Sequence, residues 1–194
     1  MAQPRCGDDS LFKSRGLIPK TSIAVRRTPS GPPHADVTAG VRPLAREDLD
    51  TAVLLWAEVI DWDNRTTGHP RRAAMDRILR SQLEQAIDAP GTCWVAETDG
   101  DVVGLLVLSA PRSAGWIRPT GAVGSAAYLG CLVTTAGRRG DGIGGALVDQ
   151  AHRAVSEWNA EVTLLHYNML NPLSGPFWHR AGYRPLWTTW CRPL

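Results

Sequence analysis

From Ile143 to Trp158 the apolar residues Ile143, Ala146, Leu147, Ala151, Ala154, Val155 and Trp158 recur with the spacing of one helical face. That predicts an amphipathic helix, which Asn159 ends. An apolar run rich in strand formers precedes it, Ala127–Thr134, and a second follows, Val162–Tyr167. Upstream, Leu49, Ala52, Val53, Leu55, Trp56 and Val59 stripe a helix over Arg46–Ile60, and Met75, Ile78, Leu79, Leu83 and Ala86 stripe another over Arg71–Ile87. The polar segment Asp61–Pro70 links the two. Thr92–Thr98 and Val102–Ser109 then read as strands joined by the turn residues Asp99-Gly100-Asp101. Pro111–Ser125 reads as a surface loop, and Tyr183–Leu194 alternates around Leu186, Trp187, Trp190 and Cys191 enough for one or two final strands. The predicted order is strand, two helices, three strands, loop, helix, strand, short helix, strand.

The loop between Thr134 and the long helix carries the clearest chemistry. Arg139-Gly140-Asp141-Gly142-Ile143-Gly144 has few side chains, so its backbone can approach a ligand closely and adopt positive φ. The helix that follows offers unbonded N–H groups and partial positive charge to an anion. Arg138 and Arg139 add formal charge beside them, whereas Asp141 opposes a bound phosphate and is expected to cap the helix or face solvent. Phosphate is the natural guest. The missing Gly-Lys-Ser/Thr excludes a P-loop. Gly140, Gly142 and Gly145 fit G-x-G-x-x-G, but the acidic residue a dinucleotide site needs at the end of the next strand is absent, since Glu161 stands at its start.

The stretch Arg139–Gly144 resembles the R/Q-x-x-G-x-G/A pyrophosphate loop of the GCN5-related N-acetyltransferase (GNAT) family, which binds acetyl-coenzyme A. Downstream, Asn171-Pro172-Leu173-Ser174-Gly175-Pro176-Phe177-Trp178-His179-Arg180-Ala181-Gly182-Tyr183 resembles that family's N-x-x-A-x-x-x-Y-x-x-x-G-F segment. Val41-Arg42-Pro43-Leu44-Ala45-Arg46-Glu47-Asp48 is similar to its opening strand and helix start. The resemblance implies a mixed α/β fold with a mostly antiparallel twisted central sheet and flanking helices. In it, the strand ending at Thr134 and the parallel strand from Val162 pair at one end and splay at the other. Acetyl-CoA would be the cosubstrate, with no metal. Leu132, Val133 and Thr134 would meet the pantetheine arm and supply an oxyanion donor, Arg138, Arg139, Gly140, Asp141, Gly142, Ile143 and Gly144 the pyrophosphate, and Asn171 and Trp178 the rest of the coenzyme site.

The implied reaction is transfer of acetyl to a primary amine of a small molecule or peptide by direct attack, with a non-catalytic acyl-CoA sensor as the alternative. Trp178 stands where the family usually has the tyrosine that protonates the leaving sulfur, and an indole N–H donates a hydrogen bond without delivering a proton. No general acid is therefore assigned. Ser174 reads as a helix N-cap. Glu97, Tyr128 and His166 are candidates for the base, and none is assigned. Trp62, Asn64, Arg65 and His69 are candidate acceptor contacts, because the helix–loop–helix that holds them forms one wall of the acceptor site in the resembling family.

Composition narrows the rest. The 194 residues suit one domain, 41–194, behind a Pro-, Ser- and charge-rich stretch over 1–40 that reads as a flexible leader. The net charge of +2 divides into +3 over residues 1–40 and −1 over the rest, so the near-neutral domain advertises no basic groove for nucleic acid. The four cysteines form no C-x-x-C pair, and Cys93, Cys131 and Cys191 read as small apolar strand residues. No apolar run has membrane or signal-peptide length, so a cytoplasmic protein is expected. Oligomeric state stays open, a homodimer included.

Overall fold

The computed structural model describes residues 9–29, 40–67, 72, 74–120 and 124–192. Its strands are β1 (Ile18–Arg27), β2 (Val41–Pro43), β3 (Cys93–Thr98), β4 (Asp101–Ser109), β5 (Ala126–Thr134), β6 (Val162–Asn168) and β7 (Arg184–Cys191). The helices are α1 (Asp9–Ser14), α2 (Leu49–Thr67), α3 (Met75–Ile87), α4 (Ile143–Glu157) and α5 (Ser174–Arg180). Hydrogen-bonded neighbours follow the order β2-β3-β4-β5-β6-β1-β7 in one mixed sheet. The chain divides into two compact units, Val25–Leu165 and Met1–Ala24 with His166–Leu194.

In the larger unit, β2, β3, β4 and β5 pair antiparallel in turn, and β5 pairs parallel with β6. Alternation along β4 assigns its two faces. Leu105 joins Leu49, Ala52, Val53, Leu55 and Leu83 of α2 and α3 in one core with Cys93, Val95, Cys131 and Val133. Gly104 looks the other way, toward α4, where a Cβ would lie 3.0 Å from Leu147 Cδ1 and 3.1 Å from Ile143 Cγ2. Only a residue without a side chain lets α4 settle so close. The α4 stripe is buried at Ala146, Leu147, Ala151, Ala154 and Val155, and Asn159 breaks the helix by adopting φ 52°. The β3–β4 hairpin turns through Asp99 (φ 55°) and Gly100 (φ 86°), the left-handed pair a two-residue turn requires, with Asp101 already in the strand.

Arg42 ties the opening of this unit together. Its Nη1 donates to Asp48 Oδ2 at 2.6 Å, its Nη2 to Asp48 Oδ1 at 3.0 Å and its Nε to Glu97 Oε2 at 2.8 Å. Asp48 Oδ2 also accepts from Ala45 N–H at 2.9 Å, which caps the 3-10 turn Arg46–Asp48 before α2. The Arg42 guanidinium holds the Asp48 carboxyl below its usual range against the opposing effect of burial.

His152 on α4 is largely out of solvent, and burial, aided by the Arg26 charge, pushes its pKa down to about 3. The unfolded chain takes up that proton near pH ~6.5 while the folded chain does not. Its contribution is therefore complete above that pH and is lost as pH falls toward 3, by at most about 1.4 kcal/mol per pH unit. Urea midpoints are expected to drop on acidification from pH ~6.5 to ~4, and His152→Gln should flatten that slope.

The smaller unit contains the main departure from expectation. Part of the segment read as a flexible leader is ordered, with α1 and the ten-residue β1. Its period-2 signal is faint because the most buried positions are Ser22 and Ala24, small residues that do not register as a hydrophobic stripe. Ser22 Oγ donates to Trp187 O at 3.1 Å, Met169 N–H donates to Lys20 O at 2.9 Å, and Phe12 stacks on Trp190 with centroids 5.0 Å apart.

Three boundaries also shift. The first large helix begins at Leu49 and continues to Thr67, so Asp61–Thr67, expected as linker, is helical; nothing in that stretch interrupts a helix. The second helix begins at Met75, later than the expected Arg71. Within the expected loop 111–125, Gly115–Thr120 forms a 3-10 helix. Among the described residues no helix is long and apolar enough to cross a membrane. The thiols of Cys93 and Cys131 are buried, and that of Cys191 is partly exposed.

Candidate active site

The strand β5 carries an irregularity midway. Opposite β4, Cys131 pairs with Val107 and Leu129 with Leu108, so Gly130 is an extra residue in a β-bulge. The parallel ladder with β6 pairs Ala126 with Val162, Ala127 with Thr163, Tyr128 with Leu164 and Leu129 with Leu165. The bulge thus immediately follows the last β5–β6 pair. A bulge bends and twists its strand. Beyond it, Cys131, Leu132, Val133 and Thr134 keep their pairing with β4.

Next along the chain, Thr135 N–H bonds back to Val103 O at 2.9 Å, and a 3-10 turn over Ala136–Arg138 leads into the glycine loop. Gly140 (φ 99°) and Gly142 (φ 83°) adopt left-handed conformations, and a Cβ on either would meet nothing within 4 Å. Ala146 N–H bonds to Gly142 O at 3.0 Å. Among the described residues, the amides from Gly140 to Gly145 have no protein acceptor. Gly142 is the N-cap of α4, without a side-chain cap. These donors therefore line one open helix terminus.

Both loop arginines already have acidic neighbours. Arg138 Nη2 reaches Asp99 Oδ2 at 3.1 Å, with Asp141 Oδ2 4.0 Å from its Nη1, and Arg139 Nη2 lies 3.5 Å from Glu58 Oε1 on α2. Asp141 is exposed and does not cap the helix, so of its two expected roles it takes the solvent-facing one. Solvent and Arg138 both weaken its repulsion toward an anion. The Glu58 contact had no sequence signal, because nothing in local spacing relates α2 to this loop.

The base candidates separate. Glu97 is bound to Arg42, in the cluster that opens this unit. Burial pushes the Tyr128 hydroxyl up to about 12, which removes it as a base at neutral pH. His166, in the smaller unit, has its pKa lowered by burial and so stays neutral at pH 7. Among the described residues no group of three or more His, Cys, Asp or Glu could hold a metal ion.

In the smaller unit, Asn171 Oδ1 accepts from Leu173 N–H at 3.0 Å and its carbonyl from Ser174 N–H at 3.2 Å, forming the turn into α5. Ser174 is the first helical residue; the N-cap is Leu173, so the expected Ser174 cap is not formed. Trp178 is buried, edge-on to Phe177 at 4.9 Å and to Tyr183 at 5.3 Å.

The acceptor candidates Trp62, Asn64 and Arg65 lie on the last turns of α2, with the Arg65 guanidinium 5.6 Å from the Trp62 ring centroid. His69 lies outside the described residues. Opposite them in sequence, Trp116 packs edge-on against Tyr128 of β5, centroids 4.8 Å apart at 72°. The lone Gly130 inside a strand pattern was the available signal for the bulge.

Comparison with known proteins bears on the fold and the family. No curated protein matches the chain. Among solved structures, a GCN5-related N-acetyltransferase from Sphaerobacter thermophilus is similar at 18% identity and TM-score 0.61, over 93% of this chain and 53% of that one. The chain thus spans about half the length of that protein. A GCN5-related N-acetyltransferase from Ralstonia eutropha is similar at 24% identity and TM-score 0.57, over 79% of this chain and 97% of that one. The PaiA N-acetyltransferase of Thermoplasma acidophilum, solved with coenzyme A, is similar at 17% identity and TM-score 0.55, over 74% of this chain and 88% of that one. At these identities the likeness establishes the fold. Residues 56–183 match the acetyltransferase (GNAT) family, and the chain belongs to it.

Proposed function

We propose that this protein transfers an acetyl group from acetyl-CoA to a primary amine of a small molecule or peptide by direct attack. The observation that carries the reading is the run of amides from Gly140 to Gly145 without protein acceptors at the start of α4. Six such donors on a helix terminus, flanked by Arg138 and Arg139, suit a diphosphate. Backbone groups of β5 beyond Gly130 would pair with the amides of a pantetheine arm, as an added strand does. A backbone N–H of Leu132 or Val133 is then the oxyanion donor.

In the reaction the neutral amine attacks the thioester carbonyl, the C–N bond forms, the C–S bond breaks, and coenzyme A leaves. A lysine-like amine ionises near ~10.4 and must lose a proton before attack, whereas a thiol near ~8.5 needs little help to leave. No side chain is assigned to either proton transfer. Trp178 is buried among rings and replaces a hydroxyl with an indole, which favours a second reading, a sensor that binds acyl-CoA without turnover.

Calorimetry with acetyl-CoA, followed by thiol release in the presence of an amine panel, tests both. Binding with amine-dependent release of free thiol and acylated product is expected. Binding without release with every amine selects the sensor, and absence of binding overturns the coenzyme assignment.

A further inference from the structure

We infer that the Trp116–Tyr128 ring pair and the notch at Gly130 form the acceptor subsite, and that it takes a primary amine carrying an aromatic group. This rests on the acetyl-transfer reading above. Ala114 and Ile117 are 0% and 2% exposed and anchor the 3-10 turn, while Trp116 between them remains 61% exposed. A large ring presented in this way combines exposure with a fixed position, since its contact with Tyr128 holds it edge-on at 72°.

Tyr128 connects that ring to the chemistry. The bulge places Tyr128, paired with Ser109, on the same side of the sheet as Cys131, paired with Val107. Between them Gly130 is exposed although it lies in a central strand, and a Cβ there would sit 3.6 Å from Tyr128 Cε1. Gly130 also begins the segment of β5 along which the thioester arm would run. A ring stacked on Trp116 would therefore hold an amine a few bonds away over the notch.

Charge decides between kinds of guest. β5 carries no charged residue from Ala126 to Thr134. Asp63 on α2 lies near enough to contribute to the raised pKa of the Cys131 thiol, after burial and Cys93. The Arg65 guanidinium is held over Trp62. An ammonium is attracted to such a surface, both by the carboxylate and by ring faces, and an acidic acceptor is not. After the ammonium loses its proton to solvent, the nitrogen forms the C–N bond as the C–S bond breaks. The nitrogen's second proton balances the departing thiolate.

Acetyl transfer to 2-phenylethylamine and to ethanolamine, followed by product mass and thiol release, provides the test, with coenzyme binding measured in parallel by calorimetry. The wild-type protein is expected to favour 2-phenylethylamine at least ~10-fold in kcat/KM. Trp116→Ala should raise its KM about 10-fold with kcat and coenzyme affinity little changed, and Trp116→Phe should restore most of the loss. Equal use of the two amines, or a Trp116→Ala enzyme with unchanged KM, overturns the subsite while coenzyme binding preserves the parent reading. Loss of coenzyme binding in the wild type overturns both.

Discussion

Gly142→Asp is expected to reduce acetyl-CoA affinity at least about 100-fold while leaving a folded protein. Gly142 has φ 83° and open space around the position of a Cβ, so the new side chain fits, at a backbone cost of roughly 1–2 kcal/mol. What it changes is the anion site, where a carboxylate would occupy the mouth of the amide cluster. Two like charges ~4 Å apart at an effective dielectric constant of ~20 repel by about 4 kcal/mol, well above the ~2.7 kcal/mol that corresponds to 100-fold. Gly142→Ala separates the two effects, since it carries the strain without the charge. Calorimetry should find the alanine variant far closer to wild type; equal losses would mean that backbone shape, not charge, governs the loop. Wild-type affinity in the aspartate variant would remove the pyrophosphate from this site.

The second large effect concerns stability. Arg42→Met should lower the unfolding free energy by about 2–3 kcal/mol, because it leaves the Asp48 carboxylate, 5% exposed, without its cation. The estimate lies below the roughly 3–5 kcal/mol of a fully buried pair because Arg42 itself is 37% exposed and partly screened. Asp48 keeps its hydrogen bond from Ala45, so the 3-10 turn survives and Glu97 becomes more solvated. The sign with pH follows from the lowered Asp48 pKa. The pair stabilises fully above the ordinary carboxylate value near ~4, and this is lost as pH falls below it. Arg42→Met should therefore erase a loss confined to strong acid, while the His152 effect begins near pH ~6.5. Urea unfolding across pH 3–8 resolves the two windows, and a variant as stable as wild type at pH 7 would show the Arg42 cluster to be energetically idle.

Local periodicity was a good guide where one face of an element is buried against large side chains. The α4 stripe, its end at Asn159 and the Asp99-Gly100 turn were all legible, because each is decided within a few residues. β1 was not, since Ser22 and Ala24 bury a face that has almost no hydrophobic contrast. The end of α2 was misplaced because a polar sequence lacking Gly or Pro is compatible with helix and linker alike.

At the site, the loop glycines could be read individually, but its electrostatics could not. Glu58 meets Arg139, and Asp99 meets Arg138, only after the sheet has brought distant segments together. Glu97 illustrates the same limit: as a sequence it was an unassigned carboxylate near a strand end, and in three dimensions it is half of the Arg42 anchor.

The sealed sulfur atoms of the sheet have a consequence for redox chemistry. Disulfide exchange requires a thiolate, and burial pushes Cys93 up to about 12 and Cys131 well above its ordinary value. The proposed reaction releases the thiol of coenzyme A at every cycle. With Cys93 and Cys131 buried and their pKa values raised, a disulfide of the coenzyme would find no thiolate to attack it at either position.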